Sequence, residues 1–449
     1  MRTNSRNPSQ TRRALALGIS FLALLAGCHA ATGKVVTLIP PRAVTWRRFL
    51  GVNAQFLWFT PKIYKRQLKQ LSALGLDWVR VDLHWDLLEP SPGHYHLRAM
   101  DALVRTLKQR HIKSVFYLTG SAPFDSSAPA GARYKDPYPP RHDRPFALFM
   151  AQLAQRYPSV NAWEVWNEPN LPSFWHCNHH PVQTYARLLA LTTRAIRSAA
   201  PGKTVVLGGM AYYSQMPARG GTLMLRRLGQ MGAFGLNLVV AYHPYTEYPE
   251  GDDPGTQDFI RRADLLNSAL RRAGVRTIWA DEWGWSSYRG PREMQAIIGR
   301  KGQADYVLRR LALMSAMDYN KIFLFTLSDL DDRASVRDRS YGLLTRNARP
   351  KPVYVALSRF LHVLGPTVRP APPMAVRSQV PILYSITWKR MDGSKVWLFW
   401  GSAAGHATIT AGTGELYNPL TGAAQRLVAT RGRILRVPVR TSLQMLTLP

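Results

Sequence analysis

The chain has two cysteines in 449 residues. That is too few for a disulfide framework or a four-thiolate zinc site. Acidic residues are scarce too, 27 against 59 Lys and Arg, for a formal net charge of +32. Such a charge suits nucleic acid, anionic lipid or an acidic polymer as partner. Yet the sequence holds no block of like charges and no nucleic-acid motif. The cations come as pairs inside helical patterns, such as Arg226-Arg227, Arg261-Arg262, Arg271-Arg272 and Arg309-Arg310, and read as solvated helix faces. No glycine-rich phosphate loop follows the first apolar strand, which argues against a doubly wound nucleotide-binding sheet. The apolar run from Ala14 to Ala26 is too short to span a bilayer as a helix.

That run has a different meaning. Arg2, Arg6, Arg12 and Arg13 precede it with no acid among them, so residues 1–27 read as a signal peptide. Its end, Leu25-Ala26-Gly27-Cys28, resembles the lipobox of bacterial lipoproteins. The resemblance implies cleavage before Cys28, lipidation of that thiol and anchoring to a membrane through the lipid. His29 in the following position favours an outer-membrane address facing the periplasm. Residues 28–45 read as a tether.

From there, apolar runs of strand length alternate with amphipathic helical stretches. The strands fall at 48–53, 77–83, 113–119, 160–166, 204–210, 238–243, 277–282 and 321–327. Helical patterns lie between them, for example at 62–74, 99–111, 145–156, 182–199, 257–273 and 302–318. Eight such pairs predict a (β/α)8 barrel over residues 46–365. Past Pro366 the helical patterns stop. Short alternating segments and turns such as Asp392-Gly393 predict a small antiparallel β-sandwich over 366–449.

A barrel of this kind carries its chemistry at the carboxyl ends of its strands. Two acids stand there, Glu168 after strand four and Glu282 after strand seven. Cleaving a glycosidic bond needs such a pair: one carboxyl protonates the leaving oxygen, the other attacks the anomeric carbon or activates water. Arg80 on strand two could hold one of them ionised. Thirteen Trp and nineteen Tyr supply flat apolar faces for a sugar cleft.

Asn167-Glu168-Pro169 after an apolar strand resembles the Asn-Glu-Pro motif of clan A glycoside hydrolases. Trp166-Asn167-Glu168-Pro169-Asn170-Leu171 with Phe174-Trp175, and Glu282-Trp283-Gly284-Trp285-Ser286-Ser287, most resemble family 39. The resemblance implies a retaining enzyme with Glu168 as acid/base and Glu282 as nucleophile. Asn167 would bind the 2-hydroxyl of the sugar at the cleavage point. Arg80 and Tyr245 would hold Glu282 ionised and aimed, and His243 would line the same subsite. Trp175 and Trp285 are candidate stacking platforms. Where many clan A enzymes carry a Trp after strand eight, this sequence has Phe325-Thr326-Leu327.

Near the strand-two end stand Asp82, His84 and Asp86, of which only Asp82 looks placed to assist. His176, Cys177, His179 and His180 fit no familiar zinc spacing. Residues 120–145 are long for a loop and read as a wall or lid over the cleft. No metal or organic cofactor is expected, because the protein itself supplies both carboxyls. The sequence reads as an exported, lipid-anchored glycoside hydrolase acting on a polysaccharide or oligosaccharide, with an exopolysaccharide of the cell envelope as the expected substrate. A transglycosylase uses the same residues. A sugar-binding lipoprotein in polymer export would not need both acids. Partners in an export complex are not specified.

Overall fold

The computed structural model describes residues 33–177, 179–211, 223–253, 257–291, 295–429 and 432–449. The expected signal segment 1–27 and the expected lipidation site Cys28 lie outside the described residues. Eight strands form a closed parallel barrel: β1 (Leu50–Asn53), β2 (Trp78–His84), β3 (Lys113–Thr119), β4 (Ala162–Val165), β5 (Thr204–Leu207), β6 (Val239–His243), β7 (Thr277–Trp283) and β8 (Lys321–Leu324). Neighbours pair in sequence order, and β8 returns to β1 with Phe323 opposite Gly51. Helices follow the strands in turn: α1 (Pro61–Ala73), α2 (Arg98–Gln109), α3 (Asp143–Arg156), α4 (Pro181–Ala199), α5 (Met224–Gln230), α6 (Asp258–Arg272), α7 (Gly299–Ser315) and α8 (Pro352–Leu364). No helix among the described residues is long and apolar enough to cross a membrane.

The strands are almost wholly apolar because helices cover their outer faces and packed side chains fill the interior. Side chains alternate between the two. In β2, Val79, Val81 and Leu83 face the helix layer, and the intervening Trp78, Arg80, Asp82 and His84 face inward. The floor of the barrel is an apolar plug of Val115, Ala162, Val206, Val239, Ala241, Trp279 and Phe323, with Trp78 beside it. Gly51 is required there, since a Cβ at that position would lie 2.5 Å from the Phe323 ring. Above the plug the inward positions turn polar: Asn53, Arg80, Glu164, His243 and Asp281, all buried.

The β domain is larger than the sequence suggests. Lys34–Leu38, inside the expected tether, pairs in parallel with Ile382–Ile386 of the strand Ile382–Arg390, and Val44–Thr45 joins the same sheet. A three-stranded sheet packs on it. In the strand Lys395–Gly401, Trp397 and Phe399 enter the core between the sheets, whereas Val396, Leu398 and Trp400 turn to the barrel. Burying each of these large side chains contributes about 2–3 kcal/mol. Trp400 also donates to buried Glu250 at 2.8 Å, a carboxylate that Arg309 holds from the barrel side.

Arg309 and Arg310 correct one expectation. They lie on α7, which is buried almost all round, and not on a solvated face. The Arg310 guanidinium donates to the carbonyls of Pro244 (2.6 Å) and Pro249 (2.7 Å) and rests on the Phe259 ring. It pins the loop that follows β6. The pair Arg226-Arg227 is exposed, as expected.

Candidate active site

Arg80 is the hub of the polar layer. Its Nε and Nη2 grip Glu164 at 2.7 Å each, a bidentate pair. Nη1 donates to Asn53 (3.0 Å) and to Glu282 Oε1 (2.6 Å), and Nη2 also to Asn167 Oδ1 (2.9 Å). The guanidinium lies 4.0 Å from the centre of the Tyr117 ring. With Oδ1 of Asn167 so engaged, its amide NH2 is left to donate into the cleft.

Glu168 and Glu282 meet at His243. Nδ1 of His243 is 2.8 Å from Glu168 Oε1 and 3.7 Å from Glu282 Oε2. The sum of these two distances, 6.5 Å, is a ceiling on the separation of the two carboxyl oxygens. On the other side of the ring, Nε2 is 3.3 Å from Asp281. Tyr245 donates its hydroxyl to Glu282 Oε2 at 3.2 Å.

Two local irregularities make this convergence possible. In β7 the register shifts between Ala280 and Trp283, so Asp281 and Glu282 both reach the interior although neighbours in a regular strand face opposite ways. Irregularities of this kind re-aim side chains beside active sites. After β4 the chain turns through two left-handed residues, Trp166 (φ 74) and Glu168 (φ 43), a conformation costly for residues with a Cβ. The turn is held by Trp166 Nε1 on the Phe174 carbonyl (2.8 Å) and by the Glu168 amide on Gly209 (2.9 Å). A Cβ on Gly209 would overlap His243 Nε2.

The layer holds four carboxyls, Glu164, Glu168, Asp281 and Glu282, against two cations, Arg80 and His243. Not all four can ionise cheaply. Burial pushes Glu164 up to about 7 despite the pull of Arg80. Burial also raises Glu282, with His243 and Arg80 pulling it back. Arg80 thus aims Glu282 but does not bring it below the ordinary carboxylate range. Burial opposes the charge on His243, yet Glu282, Asp281 and Glu168 together hold its pKa well above the ordinary value. The charged ring is thereby favoured, with Nδ1 hydrogen-bonded to Glu168 and Nε2 facing Asp281 at 3.3 Å. Burial raises Tyr245 strongly, so its phenol keeps its proton.

Above the layer opens a cleft of about 600 Å³ lined by Asn167, Glu168, His243, Tyr245 and Glu282, with Trp58, Phe174, Phe325 and Tyr341 as aromatic walls. Trp175 and Trp285 are absent from it. Both are core: Trp175 packs edge-on against Trp166 and Tyr185, and Trp285 meets Tyr306 and donates to the Glu247 carbonyl. Residues 120–142 form no lid. They fold on themselves and buttress the 171–177 loop from behind, through Pro137 to the His176 amide and Tyr138 against the His176 ring. Among the described residues no group of three or more His, Cys, Asp or Glu is arranged to hold a metal ion. Glu164 and Asp281 are functional neighbours the sequence reading did not assign. An acid in the middle of an apolar barrel strand, as in Ala-Trp-Glu-Val, was the available signal for Glu164.

The model of the cellulase family (glycosyl hydrolase family 5) matches residues 39–321. No curated protein matches the chain. Among solved structures, a family 39 glycoside hydrolase from Bacteroides cellulosilyticus WH2 shares 18% identity, covering 91% of this chain and 83% of its own, with a TM-score of 0.69. A family 30 subfamily 8 xylanase from Clostridium acetobutylicum shares 12% identity over 92% and 99%, TM-score 0.57. A glucosidase from Croceicoccus marinus shares 11% over 92% and 98%, TM-score 0.58. At these identities the structures share the fold, and the likeness to family 39 extends that far. The match over most of the barrel, with two acids converging at its mouth, places the chain in the cellulase family, glycosyl hydrolase family 5, of clan A: it is a glycosidase.

Proposed function

We propose that the chain is a retaining glycoside hydrolase, with Glu282 as nucleophile and Glu168 as acid/base, that cuts a polysaccharide or oligosaccharide by double displacement. One observation carries this reading: both carboxyls reach the same ring nitrogen of His243, so their facing oxygens stand no more than 6.5 Å apart. That close approach accommodates the ~5–5.5 Å spacing of retaining pairs.

In the first step Glu282 attacks the anomeric carbon, the bond to the leaving oxygen breaks, and that oxygen takes a proton from Glu168. The His243–Glu168 contact, 2.8 Å from Nδ1 to Oε1, orients this carboxyl. In the second step water attacks the glycosyl ester, Glu168 accepts its proton, and Glu282 departs as carboxylate. Arg80 and Tyr245 donate to the two oxygens of Glu282, which orients the nucleophile and stabilises it as a leaving group. Asn167 offers its amide to the 2-hydroxyl.

The finer reading is a family 39-like enzyme acting on an exopolysaccharide of the cell envelope, held at the outer membrane by a lipid on Cys28. The support for the anchor is the sequence Leu25-Ala26-Gly27-Cys28 behind a basic, apolar leader. A Cys28→Ser strain should leave the protein unprocessed or shed; unchanged mass and fractionation contradict the anchor. Digestion of a polysaccharide panel read by mass spectrometry tests the substrate.

The roles of the acids are tested by azide rescue. Glu168→Ala should still cleave dinitrophenyl glycosides, whose leaving group needs no proton, and azide should give the retained glycosyl azide. Glu282→Ala should be inert until azide restores turnover with inversion. Exchanged behaviour reverses the assignment.

A further inference from the structure

The Phe174-Trp175 pair divides its work in a way the sequence does not show. Trp175 is buried behind the loop, whereas Phe174 is 37% exposed and lines the cleft. It shares the cleft with Trp58, Phe325 and Tyr341, and a flat apolar ring at such a place can stack on a sugar. This one is also held still. Its carbonyl accepts from the Trp166 indole, and its own amide and that of Trp175 both donate to the Leu171 carbonyl. Trp175 wedges against Trp166 and Tyr185 beneath it, and the 120–142 loop braces the next residue, His176.

Its place decides which sugar it meets. Phe174 follows Glu168 on the loop after β4, and Glu168 protonates the leaving oxygen. The sugar attached through that oxygen therefore extends along the loop that carries Phe174. The other partner, the sugar bonded to Glu282, sits toward Arg80 and Asn167. We infer that Phe174 is the stacking platform for the leaving-group sugar, and for any sugar hydroxyl that later takes the place of water. In that transfer the ester bond to Glu282 breaks, the acceptor oxygen bonds to the anomeric carbon, and the acceptor proton passes to Glu168. A flat apolar ring fits the C–H face of a pyranose and is indifferent to charge, so the site takes a neutral ring face.

This inference rests on the assignment of Glu168 as acid/base, and its test separates the two. Oligosaccharides from gluco-, xylo-, manno- and galacto-series are screened, and the cleaved one is compared with the dinitrophenyl glycoside of the same glycone. Phe174→Ala should lower the ratio of kcat/KM for oligosaccharide over dinitrophenyl glycoside about tenfold, and Phe174→Tyr should restore it. Transfer to added free sugar should fall in parallel. An unchanged ratio, or an equal loss on both substrates that Phe174→Tyr does not repair, overturns the platform while leaving the hydrolase reading intact. A wild type inert toward every glycoside overturns both.

Discussion

Arg80 holds Glu282 at 2.6 Å with one edge of its guanidinium while the opposite edge is locked on Glu164 by two bonds of 2.7 Å. The nucleophile is therefore positioned by a cation that is itself immobile. Lysine cannot reproduce that fork, because it offers a point charge on a flexible stem. Arg80→Lys should fold, by circular dichroism, and lose about 10²–10³-fold in kcat/KM on an activated glycoside. Near-normal kinetics would show that Arg80 is only a structural brace.

The pH profile should carry the signature of a buried nucleophile. Glu282 must be ionised to attack, and burial raises its pKa above the ordinary value. Activity is thus lost as pH falls through a limb that lies above the usual carboxylate range. His243 pulls Glu282 down, so His243→Gln removes that pull and should move the acid limb to higher pH. The check is kcat/KM against pH, which reports the free enzyme. A limb that stays in place would mean that His243 is uncharged.

Glu164 gives a stability prediction with a definite sign. Its folded value, about 7, is raised from an ordinary value of 4.5. The neutral form is favoured in the fold, so its contribution is full below pH 4.5 and is lost as pH rises through about 7. Glu164→Gln cannot ionise there. Its melting temperature should fall less between pH 5 and pH 8 than that of the wild type. Parallel curves would place the titration elsewhere in the network.

The barrel was legible because strands buried on both faces leave continuous apolar runs, and all eight fall where those runs lie. Glu168 and Glu282 were legible as acids at two strand ends. What escaped the sequence depends on geometry made at a distance. The register shift in β7 that lets Glu282 join Asp281 in the interior exists only in the pairing with β8. Which of Phe174 and Trp175 faces the cleft follows from the left-handed turn at Trp166 and Glu168. Lys34–Leu38 is a strand only because Ile382–Ile386, far along the chain, offers it an edge. Arg310 looks like a surface residue until the loop it pins, Pro244 to Pro249, folds over it.

The central claim, that Glu282 forms a covalent glycosyl ester, is open to one direct measurement. In a dinitrophenyl 2-deoxy-2-fluoro glycoside of the cleaved glycone the fluorine slows both steps and the activated leaving group speeds only the first, so the ester accumulates. Peptide mapping by mass spectrometry after brief incubation should find the added glycosyl mass on Glu282 and on no other residue. A label on Glu168, or an enzyme that turns over its substrate yet never carries the label, would contradict the account.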